Sequence, residues 1–313
     1  MDDHSSGLPR SLGGPEPSWL TVIATTVRLW VQRHRRTCLR VLTGIVGLGL
    51  VAVLAITAIE VSSASQHPAT TGSSSLTGVQ NASGLRTQAA EWIANQVDSG
   101  AIVACDPAMC VALESAGLQA GRLLMIGTSS TDPLGSDLVV ATPALRNQFG
   151  TRLASVFAPL VIASFGSGAS RIDIRVTAAD GAAAYQTGMA KDLAARISAG
   201  TQLLRNRDLT VSAAARAALR NGEVDPRLLV TLAALAAQQS VRVVAFSDLS
   251  PGISPVDVPY RAVTLAAARA KGLGSMSSFL NAQQSSFRPA LVTDLGTTLS
   301  VEYGAPSPLG LLN

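Results

Sequence analysis

The chain has 313 residues, a formal net charge of +4 and only 4% aromatic residues. The positive excess gathers in an N-terminal leader at Arg28, Arg33, Arg35, Arg36 and Arg40, and beyond it acids and bases come close to balance. Even charge and few aromatics exclude a nucleic-acid footprint, and the length allows one or two domains of ordinary size.

Residues 1–40 read as a basic cytoplasmic leader. Met1 to Pro17 is polar with Gly and Pro, a disorder-type composition. Trp19 to Val31 is apolar around Arg28. It fits a short helix on the membrane face with Trp19 and Trp30 at the headgroups, and equally an irregular leader. His34 reads as a solvated neighbour of arginines, and Cys38 as an inert thiol, with reversible acylation as the alternative. Residues 41–59, VLTGIVGLGLVAVLAITAI, carry no charge. They match the ~20 apolar residues of a bilayer-crossing helix. Arginines precede this stretch while Glu60 and small polar residues follow, so the leader is expected inside and the rest outside. A cleavable signal peptide with Ser62-Ser63-Ala64 as its cleavage site is the rival. Signal-peptide apolar cores run to roughly 7–15 residues, which favours an uncleaved anchor. The expected location is the plasma membrane, single-pass, with the C-terminal part extracytoplasmic. Residues 60–84, rich in Ser and Thr, read as a flexible linker containing His67; the sequon at Asn81 matters only in a eukaryotic secretory pathway.

The fold class expected beyond the linker is α/β, in two small units. The first, 85–177, opens with a helix from Leu85 to Val97, with Leu85, Ala89, Trp92 and Ile93 on one stripe. AIVA at 101–104 reads as a buried strand, and Asp106-Pro107 as a helix start, ending near Gly117. LLMI at 123–126 and LVVA at 138–141 read as strands around the loop DPLGSD, and Pro143 to Phe149 as a helix. VIASF at 161–165 and RIDIRV at 171–176 read as a hairpin. Short buried strands alternating with helices predict a largely parallel sheet.

Cys105 and Cys110 sit across a strand end and a helix start. In an oxidising compartment two cysteines this close are expected to pair as a structural disulfide. A redox-active pair normally uses C-x-x-C spacing, and a metal site lacks histidines beyond His67. Gly166-Ser167-Gly168 leads into a strand rather than a helix, so it reads as a turn and not a phosphate cradle. Asp132 and Asp137 bracket a loop expected at the carboxyl edge of the sheet, where α/β folds bind ligands. They read either as ligand-facing acids or as solvated acids capping a turn.

The second unit, 178–305, starts with an Ala-rich helix from Ala182 to Ala199, with Tyr185, Met189, Leu193 and Ile197 on its stripe and Gly200 as its stop. Ser212 caps a helix to Arg220, stopped by Asn221-Gly222. Asp225-Pro226 opens another, to Gln238. VRVVAF at 241–246 reads as a strand, YRAVTLA at 260–266 as a further strand or a strand-to-helix passage, Ser275 to Gln284 as a helix, and 290–294 with 299–303 as a closing hairpin. Residues 306–313 read as an irregular tail.

The order helix, IVACDPAMCVALESAG, DLVVATPALRNQFG, VIASFGSGASRIDIRV over residues 86–176 resembles the soluble C-terminal domain of actinobacterial multi-pass membrane glycosyltransferases. Those domains show a "DYVVST"-like strand and a "VASFGSGDRRVEVR"-like hairpin. The Ala- and Arg-rich, Lys-poor usage suits a high-GC bacterium. The resemblance implies fold and extracytoplasmic location, not transfer activity, because the catalytic acids of those enzymes lie in a multi-pass part missing here. Their pattern also lacks the cysteine pair. More weakly, residues 203–266 resemble the lead-in to D,D-peptidase-like domains, which hold zinc through H-x-x-G-R-A-x-D. Here Asp257, Tyr260 and Thr264 stand where that motif has His, Gly and Asp, and only Arg261 and Ala262 match. A zinc hydrolase needs three protein ligands, so this resemblance implies a degenerate, non-hydrolytic relative.

Catalytic triads and Cys-His pairs need a histidine base, and no histidine follows His67. A Ser-Lys pair would need Lys191 or Lys271, which sit among charged or polar neighbours. Carboxylate chemistry on a glycan would draw on Asp248, Asp257, Asp294 and Glu302. No catalytic residue, cofactor or metal is assigned. Asp132, Asp137, Asp248 and Asp257 are the candidate ligand-facing acids. The expected function is a membrane-anchored, non-enzymatic extracytoplasmic protein that binds an envelope glycan or a partner envelope protein. The alternatives are a wall-glycan hydrolase using carboxylates, and a signalling module whose leader contacts a cytoplasmic partner.

Overall fold

Strands buried on both faces are continuously apolar, and the chain supplies such runs at 103–105 and 138–141. The structure, a computed structural model, describes residues 73–254, 257–267 and 271–312. The leader, the apolar stretch 41–59 and the start of the linker lie outside the described residues, and the readings made for them with it. Among the described residues no helix is long and apolar enough to cross a membrane.

Helix α1 runs Ser73–Gln96, so the helix expected from Leu85 begins earlier and the last part of the expected linker is helical. Ala89, Ala90 and Ile93 are buried. Once those side chains nucleate the helix, each residue added in front of them gains a hydrogen bond at little cost.

Strand β1 (Val103–Cys105) pairs in parallel with β2 (Leu123–Met125) and β3 (Leu138–Ala141). The hairpin of β4 (Leu160–Phe165) and β5 (Ile172–Val176) joins antiparallel through β5, giving the order β2-β1-β3-β5-β4. The sheet expected to be largely parallel is therefore mixed. One face packs on α1 and on α2 (Pro107–Ser115), through Val103, Cys105, Val140, Ile174, Met109 and Leu113. The other face carries Ala104, Val139 and Ala141 under Leu145 and Phe149 of α3 (Pro143–Phe149) and under a π-helical turn, Leu153–Phe157, which the sequence reading did not foresee.

The second sheet has the order β6-β7-β8-β10-β9. β6 (Leu209–Val211) runs parallel to β7 (Val241–Ser247). β8 (Ala262–Ala267), β10 (Leu299–Glu302) and β9 (Leu291–Asp294) continue it antiparallel. Its helices are α4 (Ala182–Leu203), α5 (Ala213–Asn221), α6 (Pro226–Ala236) and α7 (Lys271–Asn281). Ser212 and Asp225 cap α5 and α6, accepting from Ala215 N–H and Arg227 N–H. Gly222, left-handed at φ 69°, ends α5.

Two readings of α4 are corrected. It passes through Gly200, and its buried residues include Asp192, Arg196, Ala199 and Leu203, whereas Leu193 and Ile197 are each 39% exposed. Gly200 does not stop the helix because its missing side chain is needed elsewhere: a Cβ there would lie 2.1 Å from the Leu219 carbonyl oxygen of α5. The two helices touch backbone to backbone, and that contact selects glycine.

Both sheets close with the same strand–helix–hairpin unit, β3-α3-β4-β5 and β8-α7-β9-β10. In each, the second hairpin strand inserts beside the first strand. The two expected α/β units correspond to these two sheets, and both belong to one compact unit, Pro68–Asn313.

Cys105 and Cys110 form a disulfide, with Cα atoms 5.3 Å apart and both residues buried. It closes a short loop, so its stabilisation is modest. The Cys105→Ala/Cys110→Ala double variant is expected to lose about 2 kcal/mol in a denaturant melt. A loss of 5 kcal/mol or more would mean the bridge holds far more than its own loop.

Candidate functional site

In an open α/β sheet the crevice at the carboxyl ends of the parallel strands is the usual ligand position. In the first sheet the chain fills this position itself. Asp106, at the end of β1, caps α2 by accepting from Met109 N–H at 3.0 Å. Thr142, at the end of β3, caps α3, and its hydroxyl donates to the Asp106 carboxylate. Both are buried. The Met109 and Leu145 amides at the two helix starts therefore already have side-chain acceptors.

The predicted acids fall in five different places. Asp137 lies at the amino end of β3, not at the carboxyl edge, and its Oδ2 accepts from Ile102 N–H at 2.7 Å. Asp132 caps its own loop, accepting from Leu134 N–H and the Thr131 hydroxyl. Among the other candidates, strand register decides which can meet. Ser247 at the end of β7 and Glu302 at the end of β10 both pair with Ala262 at the start of β8. Asp248 and Glu302 therefore share one edge of the second sheet, with Arg261 between them. Asp294 pairs with Leu299 at the opposite edge, where it accepts from Gly296 N–H in the hairpin turn. Asp257 is exposed in the β7–β8 connection, and Lys191 is exposed on α4.

The edge that holds Asp248 is also where the second sheet meets α1. Gln96 O accepts from Ala305 N–H at 2.7 Å and from Arg261 Nη1 at 3.3 Å, while Ala305 O accepts from Asp98 N–H. The Trp92 indole N–H donates to Leu249 O at 2.8 Å, and Ser164 N–H on β4 donates to Pro251 O at 2.8 Å. Gly252 permits this approach. Its φ is +70°, and a Cβ there would lie 2.9 Å from Ser164 O.

Behind this edge is a buried charged network. Asp225 accepts from Arg227 Nε and Nη2 at 2.9 and 2.7 Å and from the Ser307 hydroxyl at 2.6 Å. Arg227 Nη2 also donates to Gly304 O, and its guanidinium lies 5.0 Å from the Tyr303 ring centroid. Burial alone would raise the Asp225 carboxyl, but the Arg227 charge and the hydrogen bonds from Arg227 and Ser307 outweigh it and hold the carboxyl below its ordinary value. Tyr303, pushed up to about 12 chiefly by burial, keeps its proton and donates to Phe287 O, leaving Thr231 to donate to it. Arg261 is 1% exposed and pulled down to about 10 by burial. Its Nη1 donates to Tyr303 O, its guanidinium lies 5.9 Å from the Trp92 ring centroid, and its Nη2 has no hydrogen-bond partner.

Two clefts open beside this network. One, of about 340 Å³, is lined by Asp98, Asp137, Arg227, Ser286, Pro306 and Pro308 among others. Its two acids each give an oxygen to a backbone amide, Gly100 N–H and Ile102 N–H. The other, of about 500 Å³, is walled by Trp92 and Gln96 of α1 and by the turn Asp248 to Ile253. Asp248 Oδ1 accepts from Ser250 N–H at 2.8 Å, leaving Oδ2 as an acceptor, and Gln96 and Ser250 are the other polar residues of the lining. Trp92, Leu249, Pro251 and Ile253 supply apolar wall. This second cleft is the candidate site. Among the described residues no group of His, Cys, Asp and Glu can hold a metal ion.

Of the site, the sequence reading had only Asp248. Trp92 it placed on a core stripe, and Gln96, Leu249, Ser250, Pro251 and Ile253 it passed over. One signal was available: Trp92 is the sole tryptophan beyond the leader. The chain matches no known protein family, no curated protein and no solved structure. The two resemblances therefore stand on the quoted residues alone.

Proposed function

We propose that this chain is a membrane-anchored extracytoplasmic binding protein whose ligand is an envelope glycan, held in the cleft beside Trp92. The observation that carries the reading is the make-up of that cleft. The residues that line it carry an indole and three apolar side chains together with a carboxylate, an amide and a hydroxyl. A sugar ring has the complementary halves, an apolar face of C–H groups and a rim of hydroxyls. The anchor belongs to the same proposal. Residues 41–59 with their arginine flank would hold the unit Pro68–Asn313 outside the membrane.

The test is co-sedimentation of the full chain, in detergent, with purified cell-wall glycan. Trp92→Ala is expected to weaken binding by about 30-fold, the ~2 kcal/mol of a central aromatic anchor. Gln96→Ala, at a half-exposed side chain, is expected to weaken it less while leaving the melt unchanged. Undiminished binding by both variants would sink the reading.

A second reading, glycan hydrolysis, draws on one observation, that Asp248 and Glu302 share a sheet edge on strands that both flank β8. Hydrolysis needs two carboxylates facing one bond. Of the two, Asp248 alone lines the cleft. New glycan fragments that disappear with Asp248→Asn would establish this reading in place of the first.

A further inference from the structure

Which glycans the cleft admits turns on Asp248, the charged side chain among those that line it. The argument rests on the glycan reading above. Asp248 follows β7 directly, and the Ser250 amide fixes its carboxylate at the wall. Asp248 is exposed, and a carboxylate can only accept hydrogen bonds, so a ligand group that meets Oδ2 in place of water has to bring a donor. The nearby cation does not change this. Arg261 lies 5.9 Å from the Trp92 ring centroid, is almost fully covered, and is tied by Nη1 to Tyr303 O and Gln96 O. It offsets part of the field of Asp248 but cannot touch a ligand.

We infer that Asp248 makes the cleft selective for amino-bearing sugars over neutral ones, and for both over acidic ones. An ammonium gives Oδ2 a charge-assisted hydrogen bond and a hydroxyl gives it an ordinary one. A uronate brings a second anion to an acceptor that cannot reciprocate.

The test uses the full chain in a detergent without a sugar headgroup, with Trp19→Phe and Trp30→Phe. Trp92 is then the one remaining tryptophan, and its fluorescence reports on the cleft. Three probes are titrated at pH 7: the glucosamine trimer, its N-acetylated form and trigalacturonate. The glucosamine trimer is expected to bind about tenfold more tightly than the N-acetylated trimer, and trigalacturonate about tenfold more weakly. In Asp248→Asn, checked for an unchanged melt, the three affinities are expected to converge to within about twofold. A spread that survives Asp248→Asn, or trigalacturonate binding best, overturns the inference and leaves the glycan reading intact. No response to any of the three overturns both.

Discussion

Replacing Asp225 with Asn is expected to destabilise the protein by about 3–5 kcal/mol, the cost of stranding a buried charge. Asn is as good a helix N-cap as Asp, so α6 keeps its start. What is lost is the countercharge of Arg227, which is 4% exposed. The same carboxylate also holds Ser307, and through it the C-terminal tail. In a thermal melt the loss corresponds to a fall in Tm of about 6–20 °C for a unit of this size. The Asp225→Asn/Arg227→Leu double variant is expected to recover much of it, because removing both partners leaves no orphaned charge. A cost below 1 kcal/mol for Asp225→Asn would show that the buried pair with Arg227 contributes little to stability.

The same network sets a pH dependence with a definite sign. The Asp225 carboxyl titrates lower in the folded protein than in the unfolded chain. Its contribution is therefore complete above the unfolded value of about 3.9 and is lost as pH falls further, through the depressed folded value. The parent is expected to lose stability steeply below pH ~4, and Asp225→Asn to show a shallower slope there. Parallel slopes would assign the acid sensitivity to other carboxylates.

The second large effect lies where α4 meets α5. Gly200→Ala puts a methyl carbon 2.1 Å from a backbone oxygen, so main chain rather than the end of a flexible side chain has to shift. Overpacking typically costs about 1–3 kcal/mol, and a clash with backbone belongs at or above the top of that range. Gly188, on the same helix, is the contrast. An added Cβ would meet Leu309 Cδ1 at 3.6 Å, an ordinary contact. Gly188→Ala is therefore expected to stabilise by about 0.5–1 kcal/mol, through helix propensity alone. Two melts decide it. If both variants shift the midpoint in the same direction, the close contact of α4 with α5 is not what selects Gly200.

Local chemistry was legible where it acts within a few residues. Asp106-Pro107, Thr142-Pro143, Ser212 and Asp225-Pro226 each give a cap hydrogen bond to an amide two or three positions on, and all four start helices. The strand at 138–141 and the helix at 143–149 fall where the apolar run and the proline put them. The short strand β6 was not legible, because three residues with one buried side chain carry no period. The stripe chosen for α4 failed for a related reason. Hydrophobicity selected Leu193 and Ile197, while the buried face includes Asp192 and Arg196. These two pair with each other at 2.7 Å, and they are satisfied further by Gly310 N–H and Gly222 O. A charge that brings its own partner can be buried, and composition does not show the partner.

The amino-acid sequence by itself determined the α/β class, the ends of most helices, the close cysteine pair and the absence of a histidine base beyond His67. These depend on residue identity or on contacts a few positions long. Only the tertiary structure decided the site. Trp92 reaches Leu249, Arg261 reaches Gln96, and Asp225 reaches Ser307, each across scores of intervening residues. Strand register, which no local pattern encodes, placed Asp248 and Glu302 on one edge and Asp294 on the other. A cleft is formed by surfaces that meet after the chain has folded, so its lining follows from pairing and packing rather than from any stretch of sequence.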